Sequence, residues 1–178
     1  MNKHLVEIKA RVRDAARTDE LRKLLLERGA DFRGTDHQVD TYFNVPDGRL
    51  KLREGNIERS LIYYERPNQA GPKDSRVALT SFTPGPVPDG LRDTLLAALG
   101  SWMVVDKRRE IYFIDNVKFH LDKVVGLGYF VEIEAIGETE ADRSALLAQC
   151  QTYVKLLDID AADLIKVSYS DLLSPATS

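Results

Sequence analysis

Ionisable side chains recur at every second position along five segments of the chain. The segments are Glu7–Arg11, Arg49–Arg53, Lys107–Arg109, Lys118–Asp122 and Glu132–Glu134. Residues i and i+2 lie on one face of a β-strand, and the residue between them lies on the other face. The pattern therefore predicts strands that each carry a charged face, positive in most segments and negative in the last.

Turn signals divide the chain into about eight predicted strands. Pro46-Asp47-Gly48, Glu54-Gly55-Asn56 and Gly126-Leu127-Gly128 each separate two apolar runs. The strands are predicted over residues 3–13, 38–45, 49–53, 58–66, 76–82, 103–114, 117–124 and 129–136. Because strands and helices do not alternate regularly, the pattern favours an antiparallel α+β fold over a parallel sheet.

Three amphipathic helices are predicted beside these strands. The first starts at the acidic cap Thr18-Asp19-Glu20 and ends at Gly29, the second covers residues 91–99, and the third carries the apolar stripe from Leu146 to Leu157. Either face of the strands could line a closed barrel. Helices packed outside would cover the apolar face, so they favour an eight-stranded antiparallel barrel with a charged, wet tunnel.

The residue types on the charged faces indicate the ligand. Cations in excess, with a few carboxylates, suit a polyphosphate together with a divalent metal ion. His4, His37 and His120 lack the spacing of a zinc site, so surface or hydrogen-bonding roles are expected for them. The segment Gly126-Leu127-Gly128 lacks the third glycine of a dinucleotide fingerprint, so it is predicted to be a hairpin turn.

Composition narrows the class of protein. The 178 residues, 43% hydrophobic and 30% charged, fit one globular domain over residues 1–173 with a flexible tail at 174–178. The net charge of −3 gives no overall attraction to nucleic acids or anionic membranes, so neither is an expected partner. Cys150 is the sole cysteine, which excludes an intramolecular disulfide and a cysteine-based zinc cluster. No run approaches the roughly 18 apolar residues of a membrane span, so a cytoplasmic location is expected.

Taken in order, the motifs resemble those of the CYTH superfamily, the triphosphate tunnel metalloenzymes, and within it the class IV adenylyl cyclase branch. The resemblance runs from Val6 to Leu173. The motifs that carry it are Glu7-Ile8-Lys9, Gln38-Val39-Asp40-Thr41-Tyr42-Phe43, Gly48-Arg49-Leu50-Lys51-Leu52-Arg53, Leu61-Ile62-Tyr63-Tyr64-Glu65-Arg66-Pro67, Lys107-Arg108-Arg109, His120-Leu121-Asp122, Gly126-Leu127-Gly128-Tyr129-Phe130-Val131-Glu132-Ile133-Glu134 and Ser168-Tyr169. The resemblance implies an eight-stranded antiparallel tunnel that binds a small-molecule triphosphate, such as ATP or inorganic triphosphate, with Mg²⁺ or Mn²⁺. It is also compatible with a homodimer.

The resemblance further implies roles for individual residues. The phosphates would be bound by Lys9, Arg11, Lys51, Arg53, Arg66, Arg76, Lys107 and Arg109. The metal ion would be bound by Glu7, Glu132 and Glu134. Lys9 and Asp122 would be the catalytic residues.

Leu5 departs from the family's first-strand pattern, Glu-x-Glu-x-Lys, because it stands where the first glutamate is expected. One metal-facing carboxylate is therefore missing, which weakens the case for hydrolysis by a metal-activated water. Cyclisation of ATP to cyclic AMP and pyrophosphate needs no water, so class IV adenylyl cyclase activity is the first hypothesis. Hydrolysis of inorganic triphosphate, thiamine triphosphate or a nucleoside triphosphate is the second. Binding of a polyphosphate or nucleotide without turnover is the third.

Overall fold

The computed structural model describes residues 4–65, 73–139 and 142–175, with the backbone but not the side chains of residues 73–76. The strands are β1 (His4–Val12), β2 (Asp31–Phe43), β3 (Arg49–Gly55), β4 (Ser60–Glu65), β5 (Lys73–Ser81), β6 (Ser101–Ile114), β7 (Val117–Val124) and β8 (Gly128–Gly137). The helices are α1 (Ala15–Glu27), α2 (Leu91–Leu99), α3 (Arg143–Leu156) and α4 (Tyr169–Leu173). None of these described helices is long and apolar enough to cross a membrane.

The eight strands form a closed antiparallel barrel in the order β1-β5-β4-β3-β2-β6-β7-β8. β1 closes it by pairing with both β5 and β8. The predicted hairpin turn at Gly126-Leu127-Gly128 joins β7 to β8, with Gly126 and Gly128 at φ values of +81° and +97°. The prediction of an eight-stranded antiparallel α+β barrel is confirmed.

The apolar faces of β1, β7 and β8 point outward and pack under helices. α3 and the residue that follows it contribute Leu146, Cys150 and Leu157 to the main core, and α1 contributes Leu21 and Leu25. All five side chains are at most 3% exposed. The strands supply Val6, Ile8, Ala10, Phe119, Leu121, Val131 and Ile133. Because the helices cover the apolar face of β1, β7 and β8, the charged face of these strands points into the barrel, as the alternation predicted.

The first helix starts about one turn earlier than predicted. α1 begins at Ala15 because Asp14, and not Thr18, caps it. The Asp14 carboxylate accepts a hydrogen bond from the backbone N–H of Arg17 at 2.8 Å. Aspartate and threonine are both good capping residues, so the sequence alone offered two starts within one turn of each other.

β2 is longer than its predicted range, and α4 was not predicted. β2 begins at Asp31 and pairs with β6 through a register shift between Phe32 and Gly34. This bulge interrupts the two-residue period, so the alternation of side chains does not indicate the first part of the strand. α4 is only five residues long and is held by a capping box between Ser168 and Asp171.

The two ends of the barrel differ. At the end where β1 finishes, α4 places the Tyr169 ring 4.8 Å from the ring of Phe130, and Arg49 binds Asp171 at 2.7 Å. At the other end, the connection between β3 and β4 includes Glu58, whose carboxylate reaches the interior.

Candidate functional site inside the barrel

The barrel encloses a cavity of about 440 Å³. The described residues that line it include seven Lys or Arg and five Asp or Glu. The basic residues are Lys9, Lys51, Arg53, Arg59, Lys107, Arg109 and Lys118, and the acidic residues are Glu7, Asp40, Glu58, Glu132 and Glu134. These charges are unevenly distributed, and the strands divide the cavity into three walls of different character.

The cationic wall is formed by β2, β3 and β6, which are neighbours in the barrel. Its described lining contains Lys51, Arg53, Lys107 and Arg109, with Asp40 as the one carboxylate. Arg53 donates two hydrogen bonds to Asp40, both at 2.9 Å. The ammonium groups of Lys107 and Lys51 lie 2.9 and 3.0 Å from the same carboxylate. One buried carboxylate therefore holds three cations in position.

Burial acts on the pKa values of this cluster in opposite directions, upward for the carboxyl group and downward for the ammonium group. Burial alone would raise the pKa of Asp40, but its three cationic partners outweigh burial and hold that pKa well below the usual range. Burial lowers the pKa of Lys107 to about 7, because the attraction of Asp40 only partly offsets desolvation and the neighbouring cations. Asp40 thus stays ionised, whereas Lys107 can lose its proton near neutral pH.

The acidic wall is formed by β1, β8 and β7, which are also neighbours. Its charged or ionisable lining residues are Glu7, Lys9, Lys118, His120, Glu132 and Glu134. Glu132 is surrounded by donors: Lys9 lies 2.9 Å away and Arg109, from β6, lies 2.8 Å away. The Nδ1 atom of His120 lies 2.9 Å from it as well. Burial would raise the pKa of Glu132, but these partners, Arg109 first, hold it well below the usual range.

Glu7 and Glu134 are directly opposite each other across β1 and β8. Two carboxylates in this arrangement can share a cation. Lys118, which faces Glu134 from β7, bonds to Glu58 instead. Ligand atoms of His120, Glu132 and Glu134 lie within 4.8 Å of one another. Two carboxylates facing each other beside a third, with an imidazole at hand, fit a divalent cation that prefers oxygen ligands.

The uncharged wall is formed by β4 and β5. Its described lining residues are Ser60, Ile62, Tyr64, Val77, Leu79 and Ser81. Ile62 pairs with Leu79, and Tyr64 pairs with Val77, across the two strands. Leu5, on the adjacent β1, also lines the cavity. The described residues of this wall offer apolar surface and hydroxyl groups, and none of them is charged.

Asp122 does not line the cavity, in contrast to the role that the resemblance implied for it. Its carboxylate accepts two hydrogen bonds from Arg109, at 2.7 and 2.6 Å, and one from the Tyr169 hydroxyl at 2.7 Å. Burial would raise the pKa of Asp122, but the Arg109 charge outweighs it, so the pKa is lowered. Asp122 stands behind Arg109 as a counter-ion that orients the guanidinium, and it is connected to the cavity lining through Arg109 and Tyr169.

The structure brings most of the predicted site residues together. Those that line the cavity are Lys9, Lys51, Arg53, Lys107, Arg109, Glu7, Glu132 and Glu134. Arg11 does not line it; this residue is exposed beyond the end of the cavity, 5.2 Å from the ring of Phe130. Arg66 and the side chain of Arg76 lie outside the part of the chain that the structure describes. The backbone of Arg76 pairs with His4 and Glu65.

Several ionisable lining residues were not selected from the sequence, among them Asp40, Glu58 and His120. Asp40 had a signal, because Asp36, Gln38 and Asp40 stand at every second position of β2. His120 was assigned a surface or hydrogen-bonding role; it does form hydrogen bonds, but it is 1% exposed and its Nε2 atom has no partner among the described atoms. Glu58 was predicted as the first residue of a strand over residues 58–66, but β4 begins at Ser60, so Glu58 lies in the connection between β3 and β4.

The chain matches the CYTH domain family over residues 3–169. It belongs to the CYTH domain family. The match extends from the start of β1 to Tyr169 of α4 and therefore contains the described residues of all three cavity walls.

The chain is also similar to a named protein and to solved structures. A protein of Methanocaldococcus jannaschii named "Putative adenylate cyclase" is 27% identical, over 94% of this chain and 97% of its own length. A solved structure from Pyrococcus horikoshii OT3 is 23% identical with a TM-score of 0.78, covering 98% of this chain and 100% of the other. One from Vibrio parahaemolyticus, described in the same words as the M. jannaschii protein, is 20% identical with a TM-score of 0.79 and the same coverage. These structures share the fold.

Proposed function

We propose that this CYTH domain is a metal-dependent enzyme that binds a triphosphate inside its barrel and acts as a class IV adenylyl cyclase, converting ATP into cyclic AMP and pyrophosphate. The observation that carries the proposal is the separation of charge inside the barrel. Cations of the cationic wall face a group of carboxylates on the acidic wall across one cavity. A phosphate chain and a divalent cation need these two surfaces side by side.

The charges of the cavity match such a complex. Leaving His120 out and counting Lys107 in its protonated form, the seven basic and five acidic residues of the described lining give an excess of two positive charges. A triphosphate ester carries about four negative charges near pH 7, because the terminal group loses its second proton near pH 6. One divalent cation supplies the remaining two positive charges. The interior is therefore complementary to a triphosphate with one metal ion.

The metal ion, Mg²⁺ or Mn²⁺, would be held by Glu7 and Glu134, which face each other, with Glu132 beside them. Bound there, it would neutralise charge on the phosphate oxygens. Lys9 stands between this group and Tyr169, with its ammonium 2.9 Å from Glu132 and 3.8 Å from the centre of the Tyr169 ring. In this position the Lys9 ammonium would stabilise the negative charge that develops on the phosphate oxygens during the reaction.

In the cyclase reaction the substrate's own hydroxyl attacks, so no covalent bond to the protein is required. The ribose 3′-oxygen bonds to the α-phosphorus, the bond from that phosphorus to the bridging oxygen breaks, pyrophosphate leaves with the electron pair, and the hydroxyl proton passes to solvent. Catalysis then depends on holding the phosphate chain and stabilising charge on its oxygens. Arg109 is suited to this work, because Asp122 and Glu132 fix its guanidinium from two sides.

The name shared by the M. jannaschii relative and the V. parahaemolyticus structure supports the cyclase reaction over hydrolysis. The presence of Leu5 in the cavity lining agrees with it, since this position adds no carboxylate to the acidic wall.

Product analysis tests the proposal. Purified protein is incubated with Mg²⁺ or Mn²⁺ and, separately, ATP, inorganic triphosphate and thiamine triphosphate, and the products are resolved by chromatography and phosphorus NMR. Cyclic AMP and pyrophosphate in equal amounts are expected from ATP. A Lys51→Ala variant purified in the same way distinguishes the chain's own activity from a contaminant, which would be unaffected. Orthophosphate as the product would assign the chain to the triphosphatases, and unchanged substrates would leave a binding module.

A further inference from the structure

The described residues of the uncharged wall present apolar side chains to a cavity whose other two walls are charged. Ile62 and Leu79 are directly paired across β4 and β5, and the pair of Tyr64 and Val77 follows two residues away. Leu5 extends the surface onto β1, the next strand of the barrel. Phosphate oxygens gain nothing from such a surface, because it offers them neither charge nor, over most of its area, hydrogen-bond donors.

Leu79 is the most informative member of this wall. It faces the cavity together with Val77 and Ser81, whereas Ala78 and Thr80 alternate to the other face of β5. Nevertheless, 56% of Leu79 is exposed. An exposed large apolar side chain on a concave surface is typical of a ligand contact, because a bound molecule removes that surface from water. The contact requires a ligand with an apolar part.

We propose that the uncharged wall, through Leu5, Ile62, Val77 and Leu79, is the subsite for the organic group of a triphosphate ester, and that inorganic triphosphate is consequently a poor ligand. The inference rests on the proposed function, because it places the remainder of the same substrate. Leu5, which stands where the first-strand pattern has a glutamate, belongs to this subsite and not to the metal site.

The gradient of burial sets the direction of the substrate. Lys107 and Arg109 are 1% and 3% exposed, deep in the barrel, whereas Leu79 lies near the end where β5 finishes. The opposite end of the cavity is lined by Tyr169 of α4. The phosphate chain therefore points into the barrel, and the organic group lies towards the end at which β1 begins and β5 finishes.

Calorimetric titration in the presence of Mn²⁺ tests the subsite. The probes are α,β-methylene ATP, which cannot be cyclised, and inorganic triphosphate. We expect the wild-type chain to bind the nucleotide analogue at least about tenfold more tightly, because only this probe covers the apolar surface. Leu79→Asn should weaken binding of the analogue about fivefold and leave inorganic triphosphate within about twofold. Thr80→Asn, one residue away on the other face of β5, should change neither affinity.

The outcomes separate the inference from the function on which it rests. Equal wild-type affinities for the two probes, or an equal loss for both in Leu79→Asn, would overturn the subsite and leave triphosphate binding intact. Binding of neither probe would overturn the proposed function, and the subsite with it. Thermal unfolding of each variant establishes that a loss of binding is not a loss of fold.

Discussion

The cationic and acidic walls contain similar ion pairs but use them differently. On the cationic wall, Asp40 is one acceptor shared by three cations. On the acidic wall, Glu132 is one of three carboxylates, alongside two lysines and a histidine. The first wall therefore has donors in excess, and the second has acceptors in excess.

This difference indicates which ion pairs maintain the fold and which are available to a ligand. Cations that share one carboxylate retain N–H groups that can donate hydrogen bonds to a phosphate. Carboxylates that outnumber their cations can accept a metal ion. The buried pairs themselves offset the cost of desolvation more than they add net stability, since buried salt bridges are weak sources of stability. A substitution should therefore act on folding, metal binding or phosphate binding according to the wall and the pair it affects.

The largest effect is expected from Asp40→Asn. Removing this charge leaves Arg53, Lys51 and Lys107 close together without their shared counter-ion, so the free energy of unfolding should fall by about 3–5 kcal/mol. Urea denaturation measures it. Asp106→Asn, which affects a half-exposed pair with His37, should cost less than about 1 kcal/mol. Equal losses of unfolding free energy in the two variants would show that repulsion among the cations of the cationic wall costs the fold little stability.

A substitution on the acidic wall should change metal binding instead. Glu134→Gln removes one of two facing carboxylates, and the affinity for Mn²⁺ should fall by about tenfold to a hundredfold, measured by titration calorimetry. Because Glu134 is only half-buried, the free energy of unfolding should change by less than about 1 kcal/mol. Glu138→Gln, at an exposed position just beyond β8, serves as the control. Unaltered Mn²⁺ affinity in Glu134→Gln would remove Glu134 from the metal site.

Lys51→Ala should affect the substrate more than the fold. Lys51 is one of three cations on Asp40 and is the most accessible of them, so two cations remain to balance the carboxylate when it is lost. We expect kcat/KM for ATP to fall about tenfold or more, since one charge-assisted hydrogen bond is removed. Lys123→Ala, exposed on the outer face of β7, should leave kcat/KM unchanged. If Lys51→Ala mainly unfolded the chain, the assignment of Lys51 to phosphate binding would be wrong.

The smallest effect, taken per unit of pH, is expected from the titration of Lys107. Its pKa is lowered to about 7 in the folded chain from an ordinary value of 10.5, so above pH 7 the unfolded chain binds a proton that the folded chain has lost. The free energy of unfolding should therefore rise with pH between these values, by up to about 1.4 kcal/mol per unit. Lys107→Met should flatten this part of the profile. Parallel profiles for the two chains would contradict the lowered pKa.

Periodicity accounts for the success of the sequence analysis. Lys9, Lys107 and Glu132 were found because each stands in a strand whose charges alternate without interruption. The same alternation predicted the antiparallel barrel and, with the helices, the inward direction of its charged face. Asp40 shows the limit of this approach: it lies within the predicted strand over residues 38–45, but it is the only charged residue of that range, so no second charge marked its face.

Other parts of the site depend on contacts that no local pattern encodes. Asp122 alternates with His120 and was therefore grouped with the substrate-facing residues, yet Arg109 and Tyr169 enclose its carboxylate from two different elements. Glu58 reaches the cavity because Asp36 accepts hydrogen bonds from the backbone N–H groups of residues 57 and 58, both at 2.9 Å. Arg11 follows the alternation of β1 but passes beyond the end of the cavity. Alternation gives the face of a residue, and the length of the barrel decides whether that face meets the ligand.

The closure of the barrel has a consequence for the order in which the chain can fold. β1 forms nine residue pairs with β8 and four with β5. Its principal partner therefore emerges from the ribosome only when residues near Gly137 have been made. Pairing between such distant segments makes folding slow, because the chain loses the entropy of closing the intervening loop before the stabilising contacts form. The edge of β1 that pairs with β8 must remain unpaired during synthesis of most of the chain, so nascent chains that stop before β8 should depend on chaperones.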